Sequence, residues 1–71
     1  MKIYVLSKKD AYGSEVVCVS EDAKEIRKSI CEDLNANEDF PELTIWENGK
    51  QTFVTTGNDV LRKVAATING F

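Results

Sequence analysis

Histidine is absent from this sequence of 71 residues, and histidine is the side chain best suited to exchange protons near neutral pH. A nucleophile of the Ser-His or Cys-His type is therefore excluded. The four glycines, Gly13, Gly49, Gly57 and Gly70, are dispersed and form no loop of the kind that holds phosphate groups. We therefore expect a protein that is not an enzyme and that has no catalytic residues and no cofactor.

Cysteines and long apolar segments are also scarce. The two cysteines, Cys18 and Cys31, stand far apart and outside any CxxC arrangement, so we expect two reduced thiols, as is usual in the cytoplasm. The apolar run at residues 3–6 is too short for the hydrophobic part of a signal peptide, and no other run approaches the length of a membrane span. These features predict a soluble, cytoplasmic protein.

The overall composition is that of a folded domain, with 42% hydrophobic and 30% charged residues. A chain of this length predicts one domain over residues 1–71, with no room for a deep cleft that would hold a small-molecule substrate. Twelve acidic and nine basic residues give a formal net charge of −3, which disfavours non-specific binding to nucleic acid or to an anionic membrane.

The strongest local signal is the dipeptide Asn48-Gly49, which lies between β-favouring runs at residues 43–47 and 50–55. Asn-Gly is typical of a two-residue type I′ turn because both central positions need positive φ. Such a turn predicts a hairpin in which Ile45 lies opposite Thr52. Side-chain alternation then predicts two faces, one with Leu43, Ile45 and Val54, the other with Trp46 and Phe53.

The remaining segments predict two more strands and two helices. The strands cover residues 3–6 and 15–19, and residues 7–14 form a polar link between them. Ser20 is the predicted N-cap of a first amphipathic helix that ends near Asn35, and a second helix is predicted over residues 59–68. The fold is therefore α+β, in the order β-β-α-β-β-α, with a four-stranded antiparallel sheet packed with two amphipathic helices. The strand order stays open.

The face that carries Trp46 and Phe53 leads to the main functional hypothesis. Residues 3–6 add one pair of side chains to that face, and an apolar patch of that size is rarely left in water. Either the helices straddle the sheet, or this face is a contact surface. We favour a contact surface because aromatic residues are enriched at binding hot spots.

The residues Met1 to Leu6, Gly13, Glu15, Ser20, Ala23 and Ile26 carry a resemblance in the first half of the chain. This half resembles short uncharacterised proteins of Firmicutes and their phages, which begin with Met-Lys-Ile-Tyr-Val-Leu and continue into a hairpin and a Ser-capped helix. No activity is attached to that group, so the resemblance implies none for this chain.

Acidic and amide side chains alternate between Asp33 and Asp39, as they do at the start of a calcium loop. Glu38 stands where that loop requires glycine, and Thr44 stands where it requires the bidentate glutamate, so we expect no metal site. Glu38, Asp39 and Glu42 could instead form an acidic edge, together with Glu32, Asp33 and Glu47, that meets a basic partner.

The sequence therefore predicts a small, acidic, non-catalytic module that binds a protein partner or a second copy of itself as a homodimer. It could act as a phage-type accessory or inhibitor, through an apolar sheet face or the acidic edge. The candidate contact residues are Trp46, Phe53, Tyr4, Glu38, Asp39 and Glu42. The alternative is a small domain that binds single-stranded nucleic acid through Tyr4, Trp46, Phe53 and nearby Lys and Arg. An enzyme subunit whose site is completed by a partner chain is a third hypothesis.

Overall fold

A computed structural model describes residues 1–34 and 39–69 of the chain. The elements are β1 (Lys2–Asp10), β2 (Gly13–Ser20), α1 (Ala23–Asp33), β3 (Phe40–Glu47), β4 (Lys50–Thr56) and α2 (Asn58–Asn69). The predicted α+β class and β-β-α-β-β-α order are confirmed. The strands form one antiparallel sheet in the order β2-β1-β3-β4, so β1 and β3 are inner strands and β2 and β4 are edge strands.

The first hairpin is longer and more tightly closed than its sequence predicts. Pairing between β1 and β2 continues to Asp10 and Gly13, which leaves only Ala11 and Tyr12 to make the turn. A carboxylate oxygen of Asp10 accepts a hydrogen bond from the backbone N–H of Tyr12 at 2.8 Å, and Gly13 adopts a φ of +136°. The predicted polar link over residues 7–14 is wrong, because these two residues close the turn locally.

The second hairpin turns at Asn48 and Gly49, whose φ angles of +54° and +79° fit the predicted type I′ turn. Its register departs from the prediction after the second pair, because Ile45 lies opposite Phe53 and Thr52 is an extra residue in β4. This irregularity is a β-bulge. The hydroxyl of Thr52 donates a hydrogen bond to the backbone carbonyl of Ile45 at 3.3 Å, which holds the extra residue against β3.

The bulge at Thr52 changes which side chains share a face. A shift of one residue sends every later side chain of a strand to the opposite side of the sheet. Phe53 therefore lies on the face of Ile45, and Val54 lies on the face of Trp46. The predicted grouping of Trp46 with Phe53, and of Val54 with Ile45, is wrong for this reason.

Both helices cover the same face of the sheet. The cross-strand pairs Tyr4–Ile45 and Leu6–Leu43 place four buried side chains on one face. The helices complete the core with Ala23 and Ile26 from α1 and Val60 and Val64 from α2. Helix α1 packs mainly over β2 and β1, and α2 packs over β3 and β4. Each fully buried aliphatic side chain contributes about 1.5–3 kcal/mol to folding, so this single core holds both helices on one side.

Helix α1 begins later than the sequence indicated. A carboxylate oxygen of Asp22 accepts a hydrogen bond from the backbone N–H of Lys24 at 2.9 Å, so Asp22 is the N-cap. The hydroxyl oxygen of Ser20 instead accepts a hydrogen bond from the backbone N–H of Asp22 at 3.0 Å. The prediction that Ser20 caps the helix is therefore wrong, because Ser20 orders the turn before it. The predicted end near Asn35 lies outside the described residues.

Gly57 fixes the start of α2 against the start of β3. Its φ is +66°, and its backbone N–H donates a hydrogen bond to the carbonyl of Pro41 at 3.0 Å. A Cβ atom at this position would lie 3.2 Å from the ring of Phe40, so the site has little space for a side chain. Among the described residues, no helix has the length and apolar character needed to cross a membrane.

The two hydrogen bonds before α1 predict a difference between two alanine variants. Asp22→Ala removes the N-cap and is expected to lower the free energy of unfolding by about 1 kcal/mol, whereas Asp22→Asn keeps an acceptor and most of that stability. Ser20→Ala removes only an exposed turn contact, so its effect should be smaller. Urea denaturation followed by circular dichroism, at one fixed protein concentration, measures these differences. A larger loss for Ser20→Ala than for Asp22→Ala would contradict the cap assignment.

Candidate functional site

The sheet face turned away from the helices is called the open face here. Its first row of paired residues crosses all four strands as Val19, Val5, Thr44 and Val54. Its second row continues with Ile3, Trp46 and Gln51. Val16 lies beyond the first row, paired with Ser7. The exposed fractions are 59% for Val16 and Val19, 48% for Val54 and 38% for Trp46, so this apolar surface stands in water in the single chain.

A depression of about 490 Å³ lies at the end of the open face nearest the second hairpin turn. Its walls are the side chains of Met1, Ile3, Val5 and Trp46, with Asn48 and Gly49 at the rim. None of these side chains is charged. The side chains that line the depression are therefore suited to contact with an apolar side chain from another surface.

The opposite end of the open face is polar. Ser7 pairs with Glu42 there, and Glu42 pairs with Thr56. The ammonium group of Lys9 lies 3.5 Å from a carboxylate oxygen of Glu42, so these two charges largely neutralise each other. This end therefore carries charge that the end near the Asn48-Gly49 turn lacks, although the exposed apolar side chains of Val16 and Phe40 also lie there.

Of the three aromatic residues predicted for the contact surface, the structure places only Trp46 on the open face. Tyr4 is buried beneath the helices as part of the core. Phe53 lies on the helix-covered face, where the ammonium nitrogen of Lys63 from α2 is 4.9 Å from the centre of its ring. The prediction that Tyr4 and Phe53 join Trp46 on one contact surface is therefore wrong, because of the helix placement and the bulge at Thr52.

The predicted acidic edge is not formed by the described residues. Asp39 is the residue before β3, and Glu42 lies near the start of β3. Strand β3 is an inner strand of the sheet rather than an edge strand. The ammonium groups of Lys8 and Lys9, on the neighbouring strand β1, lie 4.0 Å and 3.5 Å from the carboxylates of Asp39 and Glu42. The third predicted member, Glu38, lies outside the described residues.

Most basic residues lie on the side of the sheet opposite Trp46. They belong to the helix layer: Lys24, Arg27 and Lys28 on α1, and Arg62 and Lys63 on α2. Lys8 and Lys9 already face carboxylates. Lys2 and Lys50 both pair with Glu47, next to Trp46 along the strand, but alternation places them on the helix side of the sheet. Trp46 and the lysines and arginines therefore lie mainly on opposite sides, unlike the combined groove that binds single-stranded nucleic acid.

Within residues 1–34 and 39–69, no cluster of three or more acidic, cysteine or histidine side chains is placed to hold a metal ion. The calcium-like segment runs through residues 35–38, outside the described residues. In the same described part of the chain, every buried side-chain nitrogen or oxygen has a hydrogen-bond partner. Ser29, for example, is buried and donates to a carboxylate oxygen of Asp33 at 2.6 Å. Cys18 is partly buried and Cys31 is exposed, both as free thiols.

Both edge strands of the sheet carry a bulge. In β2 the extra residue is Val17, because Leu6 pairs with Cys18 while Ser7 pairs with Val16. In β4 the extra residue is Thr52. Bulges interrupt the ladder of an edge strand and hinder its pairing with another strand. Pairing of either edge with another strand is therefore less favourable than it would be along an uninterrupted strand.

The sequence pattern does not identify Val16, Val19 and Val54 as members of the open face. Val16 and Val19 lie in a run that is apolar at successive positions, which indicates only that both faces carry apolar side chains. Val54 was assigned to the other face because nothing in the sequence marks Thr52 as a bulge. An apolar run in an edge strand was the signal that could have identified the two β2 valines.

The chain matches no protein-family model, no curated protein and no solved structure. The class that its architecture defines is an α+β domain with one sheet face covered by two helices and the other face open.

The placement of Phe53 and Trp46 on opposite faces predicts a distinct nuclear magnetic resonance pattern. The methylene protons of Lys63 should be shifted upfield by the Phe53 ring and should give nuclear Overhauser contacts to it. Phe53→Leu should abolish the upfield shift, while Trp46→Leu should leave it unchanged. Contacts between the Phe53 ring and the Trp46 indole would instead indicate the register without the bulge and would contradict the assignment of the two side chains to opposite faces.

Proposed function

We propose that this protein is a non-catalytic interaction module that binds a protein surface through its open face. The observation that carries the proposal is the exposure of an uncharged row of apolar side chains on a rigid sheet. The exposed fractions of Met1, Ile3, Val16, Val19, Trp46 and Val54 correspond to on the order of 600 Å² of mainly apolar surface, the upper end of what a typical monomer leaves in water. Patches of this kind mark interaction sites.

The type and position of the residues support the same proposal. Trp46 lies beside the depression, and tryptophan is the residue type most enriched at binding hot spots. The valines around it are β-branched and belong to paired strands, so little conformational freedom is lost when a partner covers them. A module with this surface can act as an accessory or inhibitory protein by covering part of its partner.

A nucleic-acid-binding role has less support. The open face offers one exposed tryptophan and one lysine, Lys9, which already faces Glu42. In non-specific binding to nucleic acid, most of the affinity comes from several lysine and arginine side chains that contact the phosphate groups. The cations of this chain lie mainly on the helix layer, away from Trp46.

Site-specific photocrosslinking tests the proposal. A benzophenone amino acid is introduced at position 54 on the open face, and at position 61 on α2 as a matched control, since Val54 and Leu61 are 48% and 49% exposed. After illumination in living cells, we expect discrete crosslinked protein products from position 54 and none from position 61. Mass spectrometry then identifies each crosslinked product as another protein or a second copy of this chain.

Three results would contradict the proposal. Position 54 could give no crosslink, it could give the same products as position 61, or it could crosslink to nucleic acid, which a nuclease treatment of the products would reveal. A parallel variant at position 19, on the other edge of the open face, guards against a local effect of the label on β4.

A further inference from the structure

We infer that the surface bound by the open face is the open face of a second copy of this chain. This inference rests on the proposed function and names its partner. Two copies related by a twofold axis would place sheet against sheet, with the helices of each copy on the outside. The assembly would have four layers in the order helix, sheet, sheet, helix, and the two sheets would lie about 10 Å apart.

The size of the open face fits this arrangement. A stable interface of standard size buries about 800 Å² per partner. The apolar part of the open face supplies on the order of 600 Å² by the exposed fractions of its residues. Thr44 at its centre and Gln51 and Ser7 at its margins extend it with uncharged polar surface, so one face-to-face contact approaches that size.

The distribution of charge also fits a second copy. Each chain carries a formal net charge of −3, which would oppose self-association if the charges met at the contact. The two open-face rows that contain Val5 and Trp46 have no charged residue, and the Lys9–Glu42 pair at the polar end is locally neutral. In a sheet-to-sheet dimer the charged residues of α1 and α2 lie on the outer sides of the two sheets, where solvent and salt screen them.

The shape of the sheet favours face packing over edge pairing. Val17 and Thr52 interrupt the two edge strands, so a continuous sheet across two copies would begin at a bulge. The open face, in contrast, presents the exposed valines of both edge strands, Val19 and Val54, and a depression beside Trp46. In a twofold contact, each copy offers both a projecting side chain and a depression to the other.

Sedimentation equilibrium of the purified full chain, with multi-angle light scattering as a second method, tests the inference. We expect a particle of twice the 7.9 kDa chain mass at micromolar concentration. Val54→Lys should weaken the dimer by on the order of a hundredfold or more, because each copy brings an unpaired ammonium group into an apolar contact. Leu61→Lys adds the same charge at an equally exposed position on α2 and should leave the dimer intact.

A chain that stays monomeric at all concentrations up to the millimolar range overturns the inference, and so does a dimer that Leu61→Lys dissociates while Val54→Lys does not. If Val54→Lys loses its circular dichroism signal, Val19→Lys on the opposite edge replaces it. A monomeric chain that still crosslinks another protein from position 54 would refute the dimer alone, whereas a monomeric chain with no crosslink would refute the proposed function as well.

Discussion

The apolar contact between two helices and one face of the sheet is the constraint on which the rest of the structure depends. Leu6 and Leu43 meet side by side on the inner strands, and Ile26 and Val60 cover them from α1 and α2. Within the described part of the chain, the buried apolar side chains form this one core, as expected for a domain of this size. Every apolar residue of opposite parity in the strands is left on the open face.

The two bulges decide which residues those are. Without the extra residue Thr52, Val54 would turn inward and Phe53 would stand beside Trp46, giving an open face rich in aromatic rings. With it, Phe53 lies beside Lys63 at the margin of α2, and the open face becomes a row of valines with one tryptophan. The same bulges interrupt both sheet edges. The two bulges therefore set the composition of the open face and also hinder strand pairing at the sheet edges.

Much of the fold follows from local signals in the sequence. Neighbouring residues in the sequence determine the type I′ turn at Asn48-Gly49 and the apolar stripe of each helix. These local patterns also determine the order of the elements. The strand order and the common face of the helices depend on contacts between distant segments, so local patterns left them open. The bulge at Thr52 has no local signature, and this is why one candidate residue, Phe53, was placed on the wrong face while Trp46 was placed correctly.

The central claim is that a second copy of the chain covers the face that the helices leave bare. Trp46 is the single tryptophan of the chain and lies on that face, so its fluorescence directly reports whether the face is exposed to solvent. As the protein concentration rises, we expect the emission of Trp46 to shift to the blue and its quenching by acrylamide to fall, with a midpoint near the dimer dissociation constant. Emission and quenching that stay constant from nanomolar to millimolar concentration would contradict it.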